Sequence, residues 1–249
     1  TINGWINNRY CDGIIAVAGA ARQNLIDTGV DPNKITVLLN GVKSVTELSG
    51  PEKSAARKQF GVYDGQKVIS IVARLNPVKG HEYFIRAAKK VLDRGIQAKF
   101  IIAGTGEMLG RLRQLSLELG VDSNVVFAGF LEDVAPLLNI TDIQVNASFG
   151  TEATSLSLLE GMSLGIPAVV SDFGGNPGVI TPEKNGIIVP QRDADALADA
   201  LIGLLENEQL MSALKNGAKE IYHEKFTAEV MSRKIESFYF KLLEKGGHQ

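Results

Sequence analysis

Two pairs of charged residues carry the chemistry this sequence can do. Arg74 and Lys79 stand five positions apart in Arg74-Leu75-Asn76-Pro77-Val78-Lys79-Gly80, between an apolar run and a helical pattern. Two cations leaving a strand end suit a phosphate, with N–H groups at the helix start completing its shell. The alternative is a solvated loop with two ordinary surface charges. Glu152 and Glu160 belong to a second stretch, Ser148 to Pro167, in which small and hydroxyl residues give way to an apolar helix. That helix is expected from about Ser155 to Leu164, closed by Gly165 and Pro167. Free N–H groups at Thr154, Ser155 and Leu156 would then face an anion, with the helix dipole behind them. Glu160 falls about five residues into the helix, roughly 7.5 Å along its axis. The two carboxylates therefore flank an anion, and each can accept hydrogen bonds from hydroxyls. One suits a sugar and the other a ribose, on opposite sides of a diphosphate. A carboxylate among Leu156, Leu158, Leu159, Met162 and Leu164 costs stability unless partnered, which separates Glu160 from a plain surface charge. Glu152 has the plainer reading of a helix-dipole carboxylate.

Two more loops follow strand-like runs. Gly104-Thr105-Gly106 has small residues that let a ligand approach the backbone, or that simply make a tight turn. Two glycines are too few for a dinucleotide fingerprint. At Gly129-Phe130-Leu131 a flat base could stack or pair with backbone, unless Phe130 is a buried loop aromatic.

These loops need a frame. Short Val- and Ile-rich runs at 13–18, 35–39, 68–73, 98–103, 125–128, 143–146, 168–171 and 187–189 lack polar alternation, as strands covered on both faces do. Helical stripes lie between them at 81–93, 108–119, 194–205 and 227–243. Regular alternation predicts an α/β fold, a doubly wound and mostly parallel sheet, with ligands beyond the carboxyl ends of the strands. The polar stretch Asn40–Lys53 reads as a linker. Residues 1–41 form a strand–helix–strand unit too small for a domain, and 42–249 hold the full sheet and a last helix near 227–244.

The chain has 249 residues, 45% of them hydrophobic and 22% charged, enough to bury a core without disulfides or metals. A net charge of −2 gives no electrostatic reason to expect nucleic acid. The single cysteine, Cys11, precedes an apolar run and reads as buried; one cysteine is compatible with a reducing cytoplasm. No apolar run approaches the ~20 residues that span a bilayer. The chain begins at Thr1 inside ordered-looking sequence, which reads as a truncated or processed protein.

At these residues the sequence resembles the retaining glycosyltransferases of GT-B fold, the large family 4 group. The resemblance runs from about Gly13 to Leu243. It rests on Glu152-x7-Glu160 followed by Gly-Ile-Pro-Ala-Val-Val-Ser-Asp and Gly174-Gly175, on Ala73-Arg74-Leu75 with Lys79-Gly80, and on Ile101 to Gly106. Ala16–Ala18 and Leu39-Asn40-Gly41-Val42 look like the last pieces before that family's donor domain. The resemblance implies a Rossmann-like donor half, with residues 1–41 a remnant of the acceptor domain. It implies a UDP- or GDP-linked sugar as substrate, no cofactor and no metal, and a hexosyl transfer with retention. By it, Arg74 and Lys79 bind the diphosphate, Glu152 the sugar hydroxyls and Glu160 the ribose. Thr154, Ser155 and Leu156 cap the diphosphate, Gly104, Thr105 and Gly106 line the donor site, and Phe130 and Leu131 meet the base. The acceptor, lipid, polysaccharide or metabolite, is left open. So is packing of this chain against an amino-terminal domain or a second copy. Such an enzyme would be cytoplasmic, with any peripheral membrane contact in its amino-terminal half. The run Gly174-Gly175-Asn176-Pro177-Gly178 lacks the acidic residue that the family often has there. A non-catalytic binding or assembly module and a nucleotide-sugar epimerase are the rival readings; the epimerase would need acid–base residues such as His81, His223 or His248.

Overall fold

The computed structural model of the chain describes residues 1–150 and 153–246. The elements run α1 (Ile2–Tyr10), β1 (Ile14–Ala16), α2 (Gly19–Asp27), β2 (Ile35–Val37), α3 (Gly50–Gln59), β3 (Lys67–Val72) and α4 (His81–Asp93). They continue with β4 (Ala98–Ala103), α5 (Leu109–Glu118), β5 (Val125–Gly129), α6 (Ala135–Leu138), β6 (Ile143–Asn146) and α7 (Leu156–Ser163). The last are β7 (Ala168–Ser171), α8 (Asn176–Val179), β8 (Gly186–Val189), α9 (Ala194–Glu206), α10 (Glu208–Ile221) and α11 (Ala228–Gly246). A π-helical turn, Tyr222–Phe226, joins the last two helices.

Six strands form one parallel sheet in the order β5-β4-β3-β6-β7-β8. Chain order runs outward from β3 to β5, then returns to β6 on the other side of β3 and runs outward again. The crossovers leave opposite ways from β3 and β6, so a crevice opens between the loops that follow them. Period-two alternation covers both faces. Ile69, Ile71, Phe100 and Ile102 pack with Phe84 and Ile85 of α4 and Leu197 and Leu201 of α9. Val68, Ile101 and Ala103 pack on the opposite face with Ala56 and Phe60 of α3 and Leu137 of α6. Each of the Val, Ile, Leu and Phe side chains contributes about 1.5–3 kcal/mol by leaving water, enough to hold the strand ends where the loops begin.

β1 and β2 form a separate two-stranded parallel sheet. Beyond β2, Val42 is tied to the junction before α11 by backbone bonds from Val42 N–H to the Phe226 carbonyl and from Ala228 N–H to the Val42 carbonyl, 2.9 and 3.0 Å. Among the described residues no helix is long and apolar enough to cross a membrane.

The structure departs from the expected linker over 40–53. Its end is the first turn of α3, where Ser49 and Glu52 form a capping box and Pro51 occupies the first turn. Polar composition there marks a helix start. Cys11 also differs from expectation: it ends α1, only half-buried, and its thiol donates to Asn7 Oδ1 at 3.7 Å.

Candidate functional site

The loop after β3 and the loop after β6 are fastened to each other. Phe149 N–H donates to the Val78 carbonyl at 2.8 Å, one residue before Lys79. Ser157, in the first turn of α7, donates from Oγ to the Val72 carbonyl at 3.3 Å, two residues before Arg74. Gly80 has φ +73, and a Cβ there would lie 2.1 Å from the Ala147 carbonyl oxygen, so only glycine lets the two backbones meet. The Arg74–Lys79 loop thus adjoins the start of the helix that carries Glu160. Glu152 lies outside the described residues.

On the other side of Arg74 the backbones of three strand ends converge. Gly104 N–H donates to the Gly129 carbonyl at 2.7 Å, Leu75 N–H to the Thr105 carbonyl at 2.9 Å and Met108 N–H to the Leu75 carbonyl at 3.0 Å. A cleft of about 520 Å³ opens here, lined by Val72, Ala73, Arg74, Ala103, Gly104, Thr105, Phe130, Leu131 and Val134. That volume lies within the usual range for small-molecule sites. Phe130 is 75% exposed, so the buried-aromatic alternative is wrong; its ring is one wall of the cleft. Gly106 does not line the cleft. A Cβ on Gly104 or Gly106 would come within 2.0 or 2.3 Å of the Ala73 or Leu75 carbonyl oxygen. Close packing on the β3 loop therefore requires glycine at both positions.

The two helix starts at the crevice differ. α4 begins at His81 after Gly80; both are buried, and Gly80 packs against the Ala147 backbone. The backbone at the start of α4 is thus closely packed. His81 is 2% exposed, and neither ring nitrogen has a hydrogen-bond partner among the described residues. Burial, then the charge of Lys79, lowers its pKa to about 4, so the ring is neutral at pH 7. A sealed imidazole cannot exchange protons with a substrate, which removes His81 from the epimerase reading.

α7 begins in the open. Leu156 is 49% exposed, and Ser155, its N-cap, makes no side-chain cap bond; its hydroxyl lies 3.1 Å from that of Ser157. The first N–H groups of a helix have no partner inside it, so this end remains an anion acceptor. Thr154 is buried, and its hydroxyl donates to the Val17 carbonyl at 2.8 Å, away from the crevice. Glu160 is half-buried, and its pKa is raised by burial and then by the charge of Asp133. Asp133 precedes Val134 of the cleft wall, which puts Glu160 near that end.

A buried polar frame supports this side. Asn176 Nδ2 donates to the carbonyl and Oγ of Ser171, and Ser171 Oγ donates to the Ser148 carbonyl at 2.5 Å. Asn176 is thus a structural residue in the run that lacks an acid, and Gly178 beside it is exposed. Ser157 and Asp133 were not singled out from sequence. Asp133 does carry a local signal, accepting from Ala135 N–H at 2.8 Å as residues preceding a helix do.

With this geometry in place, the relatives are informative. The family model described as glycosyl transferases group 1 matches residues 52–221, about two thirds of the chain. The chain belongs to the group 1 glycosyl transferases. An uncharacterized glycosyltransferase of Methanocaldococcus jannaschii is 33% identical over 240 residues, covering 94% of this chain and 61% of that protein. The N-acetyl-alpha-D-glucosaminyl L-malate synthase of Bacillus anthracis is 28% identical over 187 residues, 75% of this chain and 49% of the enzyme. This group 1 chain therefore spans about half to three-fifths of the length of these relatives. Among solved structures, Anabaena HepE in complex with UDP and glucose superposes with a TM-score of 0.88 at 24% identity, over 95% of this chain and 65% of HepE. A Rickettsia africae glycosyltransferase does so with a TM-score of 0.87 at 21% identity, over 97% of this chain and 67% of that one. The likeness establishes the GT-B Rossmann-like fold for this member of the group.

Proposed function

We propose that this chain binds a nucleoside-diphosphate sugar at the β3/β6 crevice and is the donor-binding part of a retaining hexosyltransferase of family 4 type. The observation that supports this most is the fastening of the Arg74–Lys79 loop to the open start of α7 through Phe149–Val78 and Ser157–Val72. Two cations and uncapped helix N–H groups then address one pyrophosphate. In the reaction, the bond between the anomeric carbon and the diphosphate oxygen breaks, the acceptor hydroxyl attacks the same face of the sugar, and its proton passes to the departing diphosphate. Arg74, Lys79 and the α7 amides stabilise the negative charge that grows on the leaving diphosphate. Glu160 receives the ribose hydroxyls, and Phe130 and Leu131 the base. Glu152 receives the sugar hydroxyls, a role assigned from sequence alone. Residues 1–41 are assigned to the acceptor side and 42–249 to the donor side.

HepE was solved with UDP, so UDP is the first probe and GDP the second. Calorimetry with the wild-type chain is expected to give saturable binding of one of them. Lys79→Ala is expected to weaken it about tenfold to a hundredfold, the loss of a charged hydrogen bond of ~1.5–3 kcal/mol. Absence of heat with either nucleotide at millimolar concentration overturns the assignment.

A further inference from the structure

We propose that Arg192, in the loop between β8 and α9, is a positioning residue for the donor site, acting through the ring of Phe149. Arg192 lies outside the cleft lining and in a different crossover from the residues discussed above. Its guanidinium carbon sits 4.3 Å from the centroid of the Phe149 ring. Tyr83 of α4 meets the same ring edge-on, 5.9 Å between centroids and 87° between planes. Phe149 is thus held between a cation from one crossover and an aromatic from another. Its own N–H is the donor to the Val78 carbonyl that joins the two donor loops. Next to it, a Cβ on Gly150 would come within 2.4 Å of Val78 Cγ1, so the contact between the loops continues past the ring. The chain of contacts runs Arg192, Phe149, Val78, Lys79.

The backbone at Arg192 is the second observation. It has φ +59, one of two non-glycine residues in the left-handed region among those described. A side chain with a Cβ is strained in that conformation, and glycine would avoid the strain. The loop is fixed on either side: Gln191 N–H donates to Asp172 Oδ1 at 2.9 Å, and Asp193 caps α9 by accepting from Asp195 and Ala196 N–H. Between those anchors a strained arginine delivers its cation to a ring. Strain held in place by its surroundings is common where a side chain must be aimed. The quadrupole of the ring attracts the guanidinium without a counter-ion, so the exposed arginine restrains Phe149 while leaving the anion site its positive charge.

This inference rests on the proposed nucleotide site, and the test separates the two. Arg192→Gly removes the cation and the backbone strain together. Its Tm is expected to equal or exceed that of wild type, whereas UDP or GDP binding weakens about threefold to fivefold, the size of an exposed cation–π contact. Arg192→Lys keeps the charge and is expected to recover part of that loss; Phe149→Leu is expected to reproduce it. Amide hydrogen exchange without ligand gives a second readout: the Phe149 and Lys79 amides should exchange faster in Arg192→Gly, and the α10 amides should not. Wild-type affinity together with wild-type exchange in Arg192→Gly overturns the inference. So does an affinity loss that follows a fall in Tm and that Arg192→Lys leaves unrecovered, because that marks a plain stability role. If wild type binds neither nucleotide, the assignment of the site fails, and the exchange comparison alone decides whether Arg192 orders the loop.

Discussion

α4 and α7 leave the same edge of the sheet from neighbouring strands, and both present a positive helix end to the crevice, yet only one is available to a ligand. At α4, Gly80 packs against the Ala147 backbone and a neutral histidine is buried next to it in sequence. At α7, an uncapped serine and an exposed leucine leave the amides open. The comparison shows that a helix following a cationic loop in α/β proteins need not be the helix that meets the phosphate.

Three changes would break or sharpen this contrast. The largest effect is expected from Gly80→Ala, which places a Cβ against a carbonyl oxygen at a left-handed position. A loss of about 3 kcal/mol, or ~6–12 °C in Tm, is expected by thermal denaturation, with α7 and the fold otherwise retained. A Tm within 1–2 °C of wild type, allowing for the ordinary scatter of surface substitutions, would show that the α4 start is not closed.

Next comes acidification. The folded His81 has a pKa of about 4 against an ordinary 6.5, so the unfolded chain binds the proton first as pH falls. Its contribution is fully present above pH 6.5 and is lost as pH drops to about 4, by about 3 kcal/mol at ~1.4 kcal/mol per pH unit. His81→Leu has no ring to protonate, so urea titrations from pH 7 to pH 4 should show a shallower decline for the variant than for wild type. Parallel declines would place charge on the buried His81 ring after all.

The smallest effect is expected from Glu160→Gln. The carboxyl of Glu160 is held above its ordinary pKa, so the folded state keeps its proton to higher pH than the unfolded chain. Stability from this group therefore falls as pH rises through its raised pKa. Glu160→Gln should raise Tm slightly at pH 7, leave it unchanged at pH 3, and weaken nucleotide binding. A lower Tm at pH 7 would mean that the carboxylate has a stabilising partner in the folded state.

Much of this was legible in the sequence. β4 and α4 begin and end where the apolar run and the helical stripe of 98–103 and 81–93 place them, because strands buried on both faces and a helix with a single buried stripe leave little freedom in composition. Arg74, Gly104, Thr105, Phe130 and Leu131 do meet around one cleft. α10 escaped notice although Leu214, Ala218 and Ile221 recur at helical spacing, because its exposed face is polar and no strand flanks it. The packing at the α4 start was not legible: it depends on the Ala147 backbone meeting Gly80 from 67 positions away. Nor was Arg192, whose role depends on a backbone angle and a ring contributed by another crossover.

The bond from Thr154 to Val17 links the smaller sheet to the approach of α7 across 137 positions of sequence. A hydrogen bond tolerates a few tenths of an ångström of stretch before it weakens. If β1 shifts against the six-stranded sheet by an ångström, either that hydroxyl lets go or the segment ahead of α7 travels with it. The amides at the start of α7 are in this way geared to the end of the first strand of the chain, so a pull on one sheet would register at the other.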